Sequence, residues 1–260
     1  MARPITRPAK HDVVRRFLQA AGITKQKRYS EFATFLTRKH GANGERCIRV
    51  FSDRVDYSEA DDVYDVKNQT LGVALDCASQ FTSDQYRAYL DWFVDAEISP
   101  PGPIIDLGCD IGICTCFYAS QHPDLSVIGL DNHASSVRIA IELAQKLQLR
   151  NVRFVCGDFM EPPITELAEI KAGLICSTLT VYENVTGEHD QDILAFSSLV
   201  DAIAARLKRG GILVSVEPTQ LPTWFETIAD HLRPEPSERL TFFDAMGQVA
   251  EVTAMTATRD

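Results

Sequence analysis

Pro103-Ile104-Ile105-Asp106-Leu107-Gly108-Cys109-Asp110-Ile111-Gly112 is the stretch that decides the fold of this 260-residue chain. The apolar Ile104-Ile105 reads as a buried strand, and the glycines at 108 and 112 as a tight turn that opens a helix. A second strand, Ser126-Val127-Ile128-Gly129-Leu130, ends in Asp131, and a third, Val152 to Gly157, ends at Asp158-Phe159. Three strands that each deliver a carboxylate at the C-terminal end place those acids where ligands bind in open α/β sheets. Glycine in the first turn removes the Cβ that would hold a ligand away from the backbone. An acid at the second strand end can accept from both ribose hydroxyls. An acid after the third can accept from an adenine amino group, so the cleft suits an adenosine-like ligand.

Working outward, strands and helices alternate. Ser135 or Ser136 opens a helix with Val137, Ala140, Ile141, Ala144 and Leu147 on one face. Lys171–Cys176 reads as the fourth strand, a helix runs from about His189 to Lys208, and Gly211–Val216 reads as the fifth strand. After a helix over Trp224–Leu232, Leu240–Ala245 and Val249–Thr256 flank Met246-Gly247 as a hairpin. On the N-terminal side, Ser99-Pro100-Pro101-Gly102-Pro103 cannot continue a helix and marks a boundary. Before it, Asp12 reads as the N-cap of a helix to Ala21 that Gly22 stops, and Ser30 opens a second helix ended by His40-Gly41. Cys47–Phe51 is ambiguous between strand and loop, and Asp56–Asp65 holds five acids among ten residues. Further helices are expected at about 67–79 and 84–95.

The order of these motifs resembles the class I S-adenosylmethionine-dependent methyltransferases, and the resemblance covers roughly 96–260. It implies a Rossmann-like, seven-stranded, mostly parallel α/β sheet with a C-terminal antiparallel hairpin. Residues 1–98 would form a helical N-terminal cap or lid region, and 99–260 the S-adenosylmethionine-binding domain. By the same resemblance Asp106, Gly108, Cys109, Asp110 and Gly112 surround the methionine part of the cofactor, S-adenosyl-L-methionine or its product S-adenosyl-L-homocysteine. Asp131 would hold the ribose, Asn132 would lie beside the adenine, Asp158 would take the adenine amino group and Phe159 would cover the ring. Ser177 would join them from the loop after strand four. The chain departs from the family at Asp110, where glycine is usual. Aspartate tolerates a left-handed backbone better than most residues, so Asp110 is either a turn residue or a contact suited to a cationic sulfonium.

The loop Ser177 to Asn184 faces the methyl group in this family, which makes Tyr182 and Glu183 candidates for orienting or deprotonating the acceptor. Loop packing is the plainer role for both. His133 is a third catalytic candidate, with a surface position at a helix start as its alternative. The loop lacks the Asn/Asp-Pro-Pro-Tyr element associated with methylation of amino groups in DNA bases or glutamine, and strand four lacks the terminal Asp of spermidine-synthase relatives. Tyr57, Tyr64, Tyr86, Tyr89, Trp92 and Trp224 can line a flat substrate site or pack in the core.

Charge is unevenly spread. Residues 1–54 carry 13 Lys and Arg against 4 Asp and Glu, a net of +9, and the remainder carries 13 against 32, a net of −19. An acidic body repels polyanions, so the expected acceptor is a small molecule and not nucleic acid. The basic head docks on the body, grips an anionic substrate, or contacts a homodimer mate or protein partner. Seven cysteines without Cys-x-x-Cys pairing and six histidines without helix-type spacing imply no metal. The cysteines read as small buried hydrophobes, with thiol chemistry on a soft substrate as the alternative for Cys114 and Cys116. The absence of a long apolar run or signal segment makes a cytoplasmic protein without a membrane span the expectation. Two other functions fit the motifs: a cofactor-binding protein without turnover that acts through its cap, and an NAD-dependent oxidoreductase.

Overall fold

A computed structural model of the chain describes residues 10–24, 29–52, 60–159, 167, 169–181, 189–243 and 248–260. Five parallel strands form its centre: β1 (Ile104–Leu107), β2 (Val127–Asp131), β3 (Val152–Cys156), β4 (Ala172–Thr178) and β5 (Leu207–Pro218). They lie in the order β3-β2-β1-β4-β5, so the chain starts in the middle, builds toward one edge, and returns to the other side of β1. β8 (Val249–Thr258) runs antiparallel to β5 and carries β7 (Glu238–Phe243) and the two-residue β6 (Arg233–Pro234). The expected mostly parallel sheet with its C-terminal antiparallel pair is thus present, and β6 adds an eighth, very short strand. The Met246-Gly247 turn lies outside the described residues.

Both faces of the sheet are covered, as a parallel sheet requires. On β1, alternation sends Ile104 into a core shared with α7 (Ile113–Gln121) and α8 (Ala134–Lys146), and sends Ile105 and Leu107 into a second core. That second core contains Phe196, Leu199 and Ile203 of α9 (His189–Arg206) and Trp224 and Ile228 of α10 (Pro222–His231). The first core also takes in α1 (Lys10–Ala21), α5 (Leu71–Phe81) and α6 (Ser83–Asp95), through Phe17, Leu75, Leu90 and Phe93. Phe17 meets Phe117 edge-on at 5.1 Å, so the packing is continuous across residue 98.

Three local expectations are corrected. Asp12 lies inside α1, whose helical residues begin at Lys10, and there it accepts a hydrogen bond from Arg15. Cys47–Phe51 is neither strand nor loop but part of α3 (Ala42–Ser52). Gly44 and Cys47, three residues apart, are buried while Arg46 and Arg49 are exposed, which is helical spacing imposed by packing against α2 (Tyr29–His40). A Cβ on Gly44 would sit 2.3 Å from the Leu36 carbonyl oxygen, so the two helices meet backbone to backbone. The helix expected at 67–79 is divided, because α4 (Ala60–Lys67) ends and Thr70 caps α5 by accepting from the Val73 N–H.

The boundary segment is held by close backbone approach. Gly173 of β4 donates its N–H to the Pro103 carbonyl, and a Cβ on Gly173 would lie 2.2 Å from the Gly102 nitrogen. Gly210 has nothing within 4 Å of its Cβ position, although its φ is +70°. Gly173→Ala is therefore expected to lose about 2–3 kcal/mol through overpacking, and Gly210→Ala about 1 kcal/mol through backbone strain alone. Urea denaturation of both variants checks this, and equal losses would refute the clash.

Candidate functional site

The strand order reverses between β1 and β4, and the crevice beyond these two strands is where an open α/β sheet holds ligands. Gly108 (φ +65°) borders it on one side, and a Cβ there would come within 2.2 Å of the Thr180 side chain on the other. Thr180 donates to the Leu107 carbonyl oxygen at 3.2 Å, which pins the loop after β4 to the end of β1. Gly112 (φ +78°) starts α7 in the left-handed region, where a Cβ would press on Ala140 and Phe154.

Asp106 points to the α7 face, buried, and accepts a 2.5 Å hydrogen bond from the Thr115 hydroxyl. Burial pushes its carboxyl up to about 7, the Thr115 bond opposing and the charge on Asp131 reinforcing the rise. Asp131 is also buried and accepts two backbone donors, from Asp110 at 2.8 Å on Oδ2 and from His133 at 2.9 Å on Oδ1. Burial likewise raises its pKa, against those two hydrogen bonds. Asp110 adopts φ 42°, as a turn at this position demands. Its carboxylate accepts from Ser136 at 3.2 Å and lies 3.3 Å from Lys67. Asp110, Asp131 and His133 are thereby tied into one unit at the ends of β1 and β2.

The other expected residues are placed as follows. Asn132 is exposed, and its carbonyl accepts from the Cys156 thiol at 3.6 Å. Asp158 is half-buried beyond the end of β3, and Phe159 packs against the second core. Cys109 is buried under the turn with its thiol 3.7 Å from the Asp110 carbonyl. Ser177 is buried in β4 and donates to Glu217 at 3.2 Å. His133 reaches Asp131 through its backbone, while its ring stacks on Tyr64 at 4.0 Å and 15°. Tyr182 and Glu183 lie outside the described residues, as does Tyr57.

Of the aromatic candidates, Tyr89, Trp92 and Trp224 are core residues, and the Trp224 indole donates to Ser215. Tyr86 stays half-buried near Asp110, where burial first and then that charge raise its phenol pKa. Burial raises Cys109, Cys114 and Cys176 well above the ordinary thiol value and Cys116 to about 12.

Two features were missed in the sequence. Glu217, fully buried at the end of β5, accepts from Ser177 and from the Thr180 and Val181 N–H groups at 3.1 Å. It repeats the very signal that marked Asp106 and Asp131, an acid closing an apolar strand, one residue past where the fifth strand was ended. The second is the junction of α4 and α5, where Lys67 and Asn68 reach Asp110 and Ser136. Among the described residues no group of three His, Cys, Asp or Glu is arranged to hold a metal, and no helix is long and apolar enough to cross a membrane.

Residues 98–249, more than half of the chain, match a family model described as a methyltransferase domain. A tRNA (guanine-N(7)-)-methyltransferase of Rubrobacter xylanophilus is 35% identical over 57 residues, 22% of this chain and 26% of that protein. A protein of the same description from Pectobacterium atrosepticum is 22% identical over 167 residues, 56% of this chain and 66% of its own length. The chain thus spans between about a quarter and two thirds of the curated relatives it matches. A SAM-dependent methyltransferase structure from Methanosarcina mazei superposes with a TM-score of 0.51 at 13% identity, covering 64% of this chain and 96% of that one. That likeness is one of fold.

The raised Asp106 carboxyl has a consequence for stability. An acid whose folded pKa lies near 7 and whose unfolded value is 3.8 favours the folded state fully below about pH 4, and that contribution is lost as pH rises through about 7. Asp106→Asn, which cannot titrate, should flatten the decline in unfolding free energy between pH 5 and 8. Urea titrations across that range measure it, and an unchanged slope would show that Asp106 is already ionised.

Proposed function

This chain belongs to the class I S-adenosylmethionine-dependent methyltransferases, and from that premise we propose that it binds S-adenosylmethionine at the ends of β1 and β2 and methylates a small-molecule acceptor. The observation that carries the reading is the unit formed by Asp110, Asp131 and His133. Each Asp131 oxygen already holds one backbone donor and keeps lone-pair capacity for a further one, which fits two ribose hydroxyls. Gly108 and Gly112, both in left-handed conformations, shape the turn along which the methionine part of the cofactor is proposed to lie. When bound, the cofactor supplies a sulfonium-activated methyl, and the acceptor's lone pair forms the new bond as the carbon–sulfur bond breaks. The chain's task is then to fix the in-line approach, an effect worth about 7–11 kcal/mol. Tyr182, Glu183 and His133 are the residues proposed to orient the acceptor or take its proton, and Asp158 and Phe159 those proposed to meet the adenine.

A small acceptor is supported by the net −19 of the chain beyond residue 54 and by the loop without Asn/Asp-Pro-Pro-Tyr. An RNA acceptor is the second reading. It is favoured by the description of the two curated relatives and by the exposed Arg38, Lys39, Arg46 and Arg49 of α2 and α3.

Calorimetric titration should show S-adenosylhomocysteine binding, with NAD giving no heat. Asp131→Ala should weaken that binding about tenfold or more; an unchanged constant removes the ribose role. Labelled methyl from S-adenosylmethionine, supplied with cell extract separated into small-molecule and RNA fractions, decides the acceptor. Label in the RNA fraction alone would favour the second reading, and binding without labelled product would make the chain a binding protein without turnover.

A further inference from the structure

Asp110, a carboxylate in a left-handed turn, has a counterpart elsewhere in the chain. Lys67, the last residue of α4, places its ammonium 3.3 Å from both carboxylate oxygens of Asp110. The same ammonium stands 4.1 Å over the ring of Tyr64, and Tyr64 stacks on His133. Tyr64 and Lys67 are three residues apart, so they leave the same face of α4 and reach the turn together. The next residue, Asn68, is fully buried and donates to the Ser136 hydroxyl, which in turn donates to Asp110. Arg138 closes the arrangement by donating to the Asn68 and Gln69 carbonyls. The hydrogen bonds between the α4–α5 junction and the turn or α8 join positions 43 to 70 residues apart.

Chemistry explains why such a clamp is needed. A glycine at 110 would bring no charge to the turn, whereas aspartate adds a third carboxylate beside Asp106 and Asp131. Repulsion between Asp110 and Asp131 is already felt, since burial first and then the charge on Asp110 raise the pKa of Asp131. A cation fixed at Asp110 offsets that charge, and a Tyr64 ring beneath the ammonium strengthens the site for a cation. The side chains of Lys67 and Asp110 are 22% and 33% exposed, so the pair is less screened than one at an open surface.

We infer that Lys67 is a positioning residue for the cofactor, acting through Asp110: α4 and the α4–α5 junction hold the aspartate-bearing turn in its binding shape and neutralise it. The inference rests on the proposed binding of S-adenosylmethionine at this turn. It assigns the segment 64–68 the role of making an aspartate workable in this turn. Lys67 and Asp110 should therefore be coupled in ligand affinity, and each should matter only while the other is present.

A double-mutant cycle with S-adenosylhomocysteine as the probe tests this. Lys67→Met should weaken binding about tenfold in the otherwise unaltered chain but less than about twofold in the Asp110→Gly background. Lys67→Arg should restore most of the affinity, because a guanidinium can serve both oxygens. Should Asp110→Gly fold poorly by thermal melting, Asp110→Asn serves as the background, with the same expectation. An equal loss in both backgrounds would reduce Lys67 to a packing residue and overturn the inference. So would full affinity in Lys67→Met. An unaltered chain that binds no S-adenosylhomocysteine would instead overturn the cofactor reading beneath it, a result distinguishable from the other two.

Discussion

The hydrogen bond from the Asp110 N–H to Asp131 Oδ2, at 2.8 Å, is the constraint on which the site depends. It joins the turn after β1 to the end of β2 and so fixes where two strands present their polar ends. Residue 110 itself takes a left-handed backbone, φ 42°, so the chain turns into α7 directly after this bond. The His133 N–H occupies the other oxygen and orients the start of α8 against the same carboxylate. A buried acid is costly unless hydrogen-bonded, and here the backbone of two turns supplies the bonds. The acid organises the turns before any ligand is considered.

Around that constraint the sheet acts as a ruler. The parallel register pairs Asp106 with Gly129 and Leu107 with Leu130, so Asp131 stands level with Gly108 at the top of the crevice. Asp106 sits two residues lower, where burial pushes its carboxyl up to about 7, while Asp131 keeps its two backbone donors. The N-terminal helices contribute at two levels. α1, α5 and α6 complete the first core, whereas α4 brings a charged side chain, Lys67, to Asp110.

What the sequence revealed was what is local. Apolar runs of four to seven residues marked the central strands, two of them carrying an acid at or next to the end, because strands buried on both faces are short and continuously apolar. Helix bounds near glycines at 22 and 41 were equally legible, since each takes a positive φ that ends the helix. The failures were tertiary. Cys47-Ile48-Arg49-Val50-Phe51 has β-leaning residues, and only contact with α2 and α5 through Phe32, Leu36 and Cys77 makes it helical. Lys67 and Asn68 carried no signal, as nothing in their neighbourhood announces partners on α8 and in the glycine turn. Glu217 did carry the right signal and was passed over because the strand was ended one residue early.

The same physics appears twice across the crevice. On the β4 side, Leu179 has φ 54°, a costly conformation for a branched apolar residue. Immediately after it, the Thr180 and Val181 N–H groups converge on the buried carboxylate of Glu217. On the β1 side, strained Asp110 directs its N–H to buried Asp131. Each turn thus pairs a residue costing of order 1–3 kcal/mol in backbone strain with a carboxylate that would be costlier still without the donors that strain exposes. The two walls of the crevice thus repeat one arrangement, a backbone turn closed on a buried carboxylate, so the cleft between them is formed by the fold itself.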